Sequence, residues 1–208
     1  MVGRDRVLVV EQNLNRVSER DLKGNIVWSK QFQGRRGQPF QCERLKNGRT
    51  FVGMRNGGLV ELDRKGNEVA SVQYNGYLMA AAKLRDGGYA VINNNGYTYV
   101  RLDKTGKEVK SFRVPIEPVG GSLYFTILPN GNVLVGQYSA NKVYEVGAEG
   151  KRVWEATVNW PYTATRAANG NTLVSLMNNQ KVVEIDKTGK QVREITQPNL
   201  RPYKASRR

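Results

Sequence analysis

The stretch TRAANGNTLVSLMNNQKVVEIDKTGKQVREI, residues 165–195, sets the pattern of the whole chain. It holds a short run ending in an Asn-Gly turn, an apolar run, a second apolar run ending in Asp-x-x-Gly, and a fourth short run. Versions of this phrase begin at Glu43, Ala82 and Thr126, and the later part of another opens the chain as RVLVVEQNLNRVSERDLKGNIVWS from Arg6. The chain is therefore a five-fold internal repeat.

The spacing of the repeat predicts the fold. The turns at the Asp-x-x-Gly position recur every 39 to 44 residues and begin at Asp21, Asp63, Asp103, Gly147 and Asp186. A period of about 40 to 50 residues with four strand-like runs per unit is typical of a β-propeller. The second run of each unit is apolar and β-branched, as in a strand covered on both faces, and no segment has a helical 3.6-residue period. We predict an all-β, five-bladed β-propeller with four-stranded antiparallel blades and almost no helix.

The two ends of the chain predict how the ring closes. The C-terminal RPYKASRR matches the earlier WPYTATRA, since Pro202, Tyr203, Ala205 and Arg207 align with Pro161, Tyr162, Ala164 and Arg166. The C-terminal strand should therefore complete the first blade and satisfy an edge that an open ring would leave bare. We expect a single domain over residues 1–208. Its blades are expected at 1–32 plus 200–208, 38–74, 77–114, 122–158 and 161–197.

The repeat also resembles a known family. NGNTLV at residues 169–174, followed by VVEIDKTGK at 182–190, is similar to the repeats of bacterial pyrroloquinoline-quinone-like and arylsulfotransferase-like β-propellers, over nearly the whole chain. The resemblance implies the fold and no single function, because such repeats occur on many binding domains. Quinoprotein blades carry a Trp after the Asp-x-x-Gly turn; Trp28 and Trp154 match here, but the other repeats have Ala70, Lys110 and Arg193. Arylsulfotransferases use a histidine nucleophile, so neither activity is carried over.

Composition removes several classes of chemistry. The chain has no histidine and one cysteine, Cys42, which excludes a Ser-His-Asp relay, an imidazole metal site, a disulfide within the chain and a zinc cluster. We therefore predict no metal and no cofactor. The mean hydropathy is −0.57, and no signal peptide or transmembrane segment is predicted. We expect a monomer that does not associate with a membrane.

One predicted binding surface is the rim formed by the second-to-third-strand turns and the links between blades. This rim is rich in asparagine and aromatic residues, and we expect its basic residues to be largely unpaired. The candidate ligand-binding residues are Arg35, Arg36, Phe40, Arg55, Tyr77, Trp160, Tyr162 and Tyr203. The alternative is structural: the asparagines serve left-handed turn positions and the aromatic rings cover blade edges.

A second candidate is a basic ring on the first strands. Arg44, Lys83 and Arg166 stand four residues before the turn glycine, the C-terminal match adds Arg207, and Ile127 takes the place of a base in the remaining repeat. If these heads reach the central channel, they would bind a small anion such as phosphate, sulfate or a carboxylate. The alternative is that they pair with the recurring third-strand acids Glu19, Glu61, Glu145 and Glu184. Repetition in nearly every blade favours that structural role.

Charge and acid placement complete the functional prediction. A net charge of +15 favours nonspecific association with nucleic acid or acidic glycan, but no nucleic-acid recognition motif is present. A glycosidase needs two carboxylates, and Glu43 is the one acid expected on the first strands. The sequence predicts a noncatalytic scaffold that binds a protein, a glycan or a small anion. The alternatives are a consensus-like or engineered propeller selected for folding, a salt-sensitive polyanion binder, and a glycosidase-like five-bladed enzyme.

Overall fold

The computed structural model of the chain describes residues 6–33 and 37–196, apart from the side chain of Met177. The ordered elements in these ranges are β-strands and three short 3-10 turns, Gln12–Leu14, Tyr138–Ala140 and Met177–Asn179. The prediction of an all-β chain is confirmed. None of the helical segments among the described residues has the length and apolar character required to cross a bilayer.

The strands form five antiparallel sheets, each a blade of a β-propeller, which confirms the predicted five-bladed fold. Sheet 1 contains β1 (Arg6–Glu11), β2 (Arg16–Asp21) and β3 (Ile26–Gln31). Sheet 2 contains β4 (Pro39–Arg44), β5 (Thr50–Met54), β6 (Gly58–Leu62) and β7 (Glu68–Gln73). Sheet 3 contains β8 (Leu78–Lys83), β9 (Tyr89–Asn93), β10 (Thr98–Leu102) and β11 (Glu108–Arg113).

The remaining two sheets repeat the same meander. Sheet 4 contains β12 (Leu123–Ile127), β13 (Val133–Gln137), β14 (Lys142–Val146) and β15 (Arg152–Thr157). Sheet 5 contains β16 (Thr163–Arg166), β17 (Thr172–Leu176), β18 (Lys181–Ile185) and β19 (Gln191–Thr196). In each sheet, strands that follow one another in the chain are hydrogen-bonded neighbours. The three described strands of sheet 1 correspond to the second, third and fourth strands of the others.

The chain divides into two compact units, residues 1–111 and 112–208, and the boundary falls inside β11. Sheets 1 to 3 belong to the first unit, and sheets 4 and 5 belong to the second. The strand predicted over residues 200–208 lies outside the described residues.

The core of each unit lies between neighbouring sheets. The second strands β5, β9, β13 and β17 are buried at all five positions, as expected for strands covered on both faces. In the first unit Phe51, Leu78 and Val91 belong to one apolar cluster, and in the second Leu134 and Val174 belong to another. Each such side chain contributes about 1.5–3 kcal/mol when fully buried, so these clusters hold adjacent sheets together.

The Asp-x-x-Gly turns are closed by the aspartate side chain. Asp63 Oδ1 accepts hydrogen bonds from the backbone N–H groups of Lys65, at 2.8 Å, and Asn67, at 2.9 Å, while Gly66 adopts a φ of +89°. Hydrogen bonds from the Asn67 side chain and backbone lower the pKa of Asp63. The pKa values of the other turn aspartates are lowered by the same kind of hydrogen bonding, at Asp21, Asp103 and Asp186. The motif is a turn signal with an ionised carboxylate built into it.

Candidate functional site

The three predicted rim residues described in the first unit come together around one cation. The guanidinium carbon of Arg55 lies 4.4 Å from the ring centroid of Phe40 and 5.6 Å from that of Tyr77. Arg55 also donates a hydrogen bond to the carbonyl of Leu78 at 2.9 Å. Since Arg55 lies in the β5–β6 turn of sheet 2 and Leu78 begins sheet 3, this side chain connects two neighbouring sheets. Tyr77 remains half exposed beside it.

The other described rim residues lie in the second unit, in the link between β15 and β16. Trp160 is 48% exposed and has a φ of +50°, in the left-handed region. Its backbone N–H donates to Asn141 Oδ1 at 2.9 Å, and Asn141 is itself a left-handed residue with a φ of +54°. Asparagine tolerates this conformation, but a bulky side chain rarely adopts it. The turn before β14 therefore fixes a tryptophan on the surface in an unfavourable backbone conformation.

Tyr162 continues the same surface. Its ring packs against that of Tyr124 of β12, with the centroids 3.7 Å apart and the ring planes tilted by 34°. The carbonyl oxygen of Tyr162 passes so close to β13 that a Cβ on Gly136 would lie only 2.7 Å from it. Glycine at this position thus allows the link to press against sheet 4. Tyr124 was not predicted as a site residue, because the corresponding position of the first strand carries no aromatic residue in the other repeats.

A groove of about 270 Å³ runs between sheets 4 and 5. Its polar lining includes Asn159, Asn179 and Lys181. Asn159 precedes Trp160 in the chain, so the groove and the exposed indole are neighbours. We call Asn159, Trp160, Tyr162, Asn179 and Tyr124 the amide–aromatic surface. It carries hydrogen-bonding amides beside flat apolar rings, the composition typical of a binding surface.

Three of the described basic residues on this rim are paired with acids. Lys181 Nζ lies 3.1 Å from Glu194, and Arg16 Nε lies 2.6 Å from Glu11. Lys142 Nζ lies 3.4 Å from Glu117. Hydrogen bonds from Arg16 lower the pKa of Glu11 to about 2, so this carboxylate stays ionised. The described part of the rim is therefore less cationic than the sequence suggested.

A polar network that the sequence did not indicate fixes the long link before sheet 4. Gln137 is fully buried; its amide donates to the carbonyl of Glu117 at 2.8 Å and accepts from the Tyr144 hydroxyl at 3.0 Å. Arg152 lies 2.6 Å from the Glu117 carboxylate and lowers the pKa of that group. Burial raises the pKa of Tyr144 to about 12. The link has no counterpart in the other repeats, so periodicity could not place it.

The predicted basic ring has a different environment. Arg44 Nη2 lies 2.5 Å from Glu19 on the preceding sheet, and Lys83 Nζ lies 2.7 Å from Glu61. Arg166 pairs in the same way with Glu145. These contacts agree with the structural alternative, in which the first-strand bases pair with the third-strand acids. Anion binding by these bases remains a prediction, and each base described already has a carboxylate partner.

Two of these bases also stack on tryptophan. The Arg44 guanidinium carbon lies 5.4 Å from the Trp28 ring centroid, and that of Arg166 lies 5.1 Å from Trp154. Where the preceding sheet has Ala70 in place of tryptophan, the base is Lys83 and stacks on Tyr89 at 3.8 Å. The tryptophan of one sheet, the arginine of the next and the intervening glutamate thus form a repeated junction within each unit.

The other predicted site residues lie outside the described residues: Arg35, Arg36, Tyr203 and Arg207. Among the residues that the structure describes, no group of three acidic or cysteine side chains converges as a metal site would require. Glu43 of β4, the acid considered for catalysis, is exposed.

Comparisons with solved structures show the fold. A protein of unknown function from Bacteroides caccae is 18% identical, with 92% of this chain and 73% of that chain covered and a TM-score of 0.68. A streptogramin B lyase is 16% identical, with 96% and 68% covered and a TM-score of 0.70. Virginiamycin B lyase from Staphylococcus aureus is 15% identical, with 98% and 71% covered and a TM-score of 0.69. At these identities the similarity extends to the fold alone.

Comparison with curated proteins gave no match. The family model described as "Outer membrane protein assembly factor BamB" matches residues 10–166, which is more than half of the chain. The match confirms the resemblance drawn from the repeated phrase. The chain belongs to this family of pyrroloquinoline-quinone-like β-propeller repeats.

Proposed function

We propose that the chain is a noncatalytic interaction scaffold that binds a protein partner at the amide–aromatic surface. The observation that carries this proposal is Trp160: a large apolar side chain, half exposed, on left-handed backbone. A non-glycine residue in this conformation costs about 1–2 kcal/mol, and such costs concentrate at functional sites. Glycine or asparagine would adopt this backbone at lower cost, so the tryptophan at this position favours a role in binding.

The surroundings of Trp160 favour a protein partner. The amides of Asn159 and Asn179 can pair with both N–H and C=O groups of an extended peptide, while Trp160 and Tyr162 offer rigid rings with little rotamer entropy to lose. The nearby lysine Lys181 is paired with Glu194, so an acidic partner is not required. The description of the family model as an outer membrane protein assembly factor also supports protein binding.

The absence of histidine from the sequence supports a noncatalytic role. One structural neighbour is a virginiamycin B lyase in which a histidine-to-alanine variant is described as catalytically inactive. These 208 residues contain no histidine, so chemistry that depends on that residue type is not available to them. Among the described first strands β4, β8, β12 and β16, Glu43 is the one acidic residue, so these strands do not supply the two carboxylates of a glycosidase.

The test uses an unfolded outer membrane protein as the probe, because the family description names that class of protein. Trp160→Ala should weaken binding by about 30-fold or more, the loss expected when a central aromatic anchor of about 2 kcal/mol is removed. Val153→Ala is the matched control, since Val153 is an apolar residue of β15, the strand before the Trp160 link, with 61% exposure. Equal binding by both variants would contradict the proposal.

A second measurement reports on the surface directly. The chain has three tryptophans, so protein labelled with 5-fluorotryptophan gives three ¹⁹F signals. The partner should shift the Trp160 signal and leave those of Trp28 and Trp154 unchanged. If a neutral oligosaccharide shifts the Trp160 signal and the unfolded outer membrane protein does not, the partner is a glycan and the proposal of a protein partner is wrong.

A further inference from the structure

The first unit contains a groove of about 400 Å³ that the proposed function does not use. One wall is formed by Val27 and Trp28 of β3. The other is formed by two turns of sheet 2 and includes Lys46, Gly48 and Arg64. Its volume is within the range of small-molecule sites. We call it the basic groove.

The basic groove has an excess of positive charge. Arg6, Arg44, Lys46 and Arg64 line it together with a single acid, Glu19. That carboxylate is shared, because Arg6 lies 3.2 Å from one of its oxygens and Arg44 lies 2.5 Å from the other. Within the described residues neither Lys46 nor Arg64 has an acidic partner. Four bases and one acid leave a local charge of about +3, which an anion would neutralise.

The corresponding positions of the second unit carry fewer cations. Between sheets 4 and 5, Asn132 takes the position of Arg6 and Ala168 that of Lys46, although Trp154 is retained. The Trp154 indole N–H there donates to the carbonyl of Lys187 at 3.0 Å. The junction between sheets 4 and 5 therefore has the tryptophan without the full set of bases.

The junction between sheets 2 and 3 has the bases without the tryptophan. Arg49 and Arg85 take the positions of Arg6 and Lys46, and Lys104 takes that of Arg64. Ala70 stands in place of Trp28. Among the junctions described within the two units, the one between sheets 1 and 2 thus combines a flat aromatic wall with a full set of cations. Repetition of the blade plan does not account for that combination.

We propose that the basic groove binds an organic phosphate that carries at least two negative charges and a flat ring. Guanidinium groups such as that of Arg64 bind phosphate oxygens through two parallel hydrogen bonds, and Lys46 adds a point charge. Trp28 and Val27 offer an apolar wall for the ring. Arg44, stacked on Trp28, holds that wall in place. This site lies in the first unit and is independent of the amide–aromatic surface.

The experiment measures ADP binding by isothermal titration calorimetry at fixed ionic strength. The test variant is Lys46→Ala with Arg64→Leu, because Ala168 and Leu22 occupy these turn positions in other repeats and the fold accepts them. Its matched control is Arg85→Ala with Lys104→Leu, which makes the same two changes in the turns of sheet 3. Melting temperatures of both variants establish that they are folded.

The test variant should bind ADP at least tenfold more weakly than the unmodified protein, while the control stays within twofold. Inorganic pyrophosphate should bind less tightly than ADP because it has no ring to place on Trp28. Absence of ADP binding by the unmodified protein would overturn the proposal. Equal losses of ADP affinity in the test and control variants would also overturn it. The same holds if a DNA duplex outcompetes ADP and binds both variants with equally reduced affinity, because these results indicate nonspecific polyanion binding.

Discussion

The Glu61–Lys83 pair allows a quantitative test of the junction between sheets. Glu61 is 3% exposed and accepts from the Tyr89 hydroxyl at 2.9 Å, besides pairing with Lys83 at 2.7 Å and Arg49 at 3.3 Å. Burial opposes ionisation of Glu61, but hydrogen bonds from Lys83 and Tyr89 outweigh it and lower the pKa. Removing one partner of a buried pair costs about 3–5 kcal/mol. Glu61→Leu should therefore lower the melting temperature by about 6–20 °C in a chain of this size.

Adding Lys83→Ile should recover part of this loss. Ile127 stands at the same position in sheet 4, so the backbone accepts isoleucine there, and an apolar pair often replaces a buried ion pair at little cost. The Tyr89 hydroxyl remains without Glu61, at a cost of about 1–3 kcal/mol, which is the expected net loss of the double variant. Urea unfolding followed by circular dichroism measures each free energy. A double variant as unstable as Glu61→Leu would refute the coupling.

Three further predictions concern stability. Trp160→Asn should change the free energy of unfolding by less than about 1 kcal/mol, because asparagine tolerates the left-handed backbone conformation, whereas Trp154→Ala should lower it by about 3–5 kcal/mol. Urea titration measures both values, and equal losses would contradict the assignment of Trp160 to binding. The turn aspartates have folded-state pKa values below their unfolded value of about 3.9, so the unfolded chain binds more protons and stability should fall as the pH drops below about 4. Without histidine the melting temperature should stay flat from about pH 5 to 7, and a titration in that interval would contradict this. Arg207→Ala should lower the melting temperature, and Arg166→Ala should do the same. The repeat aligns Arg207 with Arg166, so we expect Arg207 to pair with Glu184 as Arg166 pairs with Glu145. Arg208→Ala should leave the melting temperature unchanged; equal effects of Arg207→Ala and Arg208→Ala would contradict the predicted C-terminal strand.

The repeated features could be predicted from the sequence because each is seen several times. The second run of each repeat was predicted to be a strand covered on both faces, and β9 at Tyr89–Asn93 is buried at all five positions. The third-strand glutamates and first-strand bases stand in register in several repeats. That register made Glu61 and Lys83 candidates for pairing before any distance was known.

The features specific to one blade could not be predicted in this way. The hydrogen bond from Trp160 to Asn141 joins a link to a turn of the neighbouring strand pair, and no other repeat has tryptophan at that position. Gln137 and Glu117 meet only because a long link folds back on β13. The basic groove was not predicted because Lys46 and Arg64 belong to two different turns, after β4 and after β6, and the spacing of the repeat does not show that they meet. Periodicity reveals the features that the repeats share, whereas the residues proposed for binding are specific to one repeat.

The acid–base pairing between consecutive sheets also makes the order of the blades in the chain specific. A first strand with lysine at position 83 requires an acid on the sheet before it, whereas a first strand with Ile127 requires none. Exchanging β8 for β12 would set isoleucine beside Glu61 and remove Lys83, the nearer of the two cations that pair with this buried carboxylate. Blades of one backbone plan are therefore not interchangeable modules. A design that shuffles or duplicates them has to move both members of each pair together.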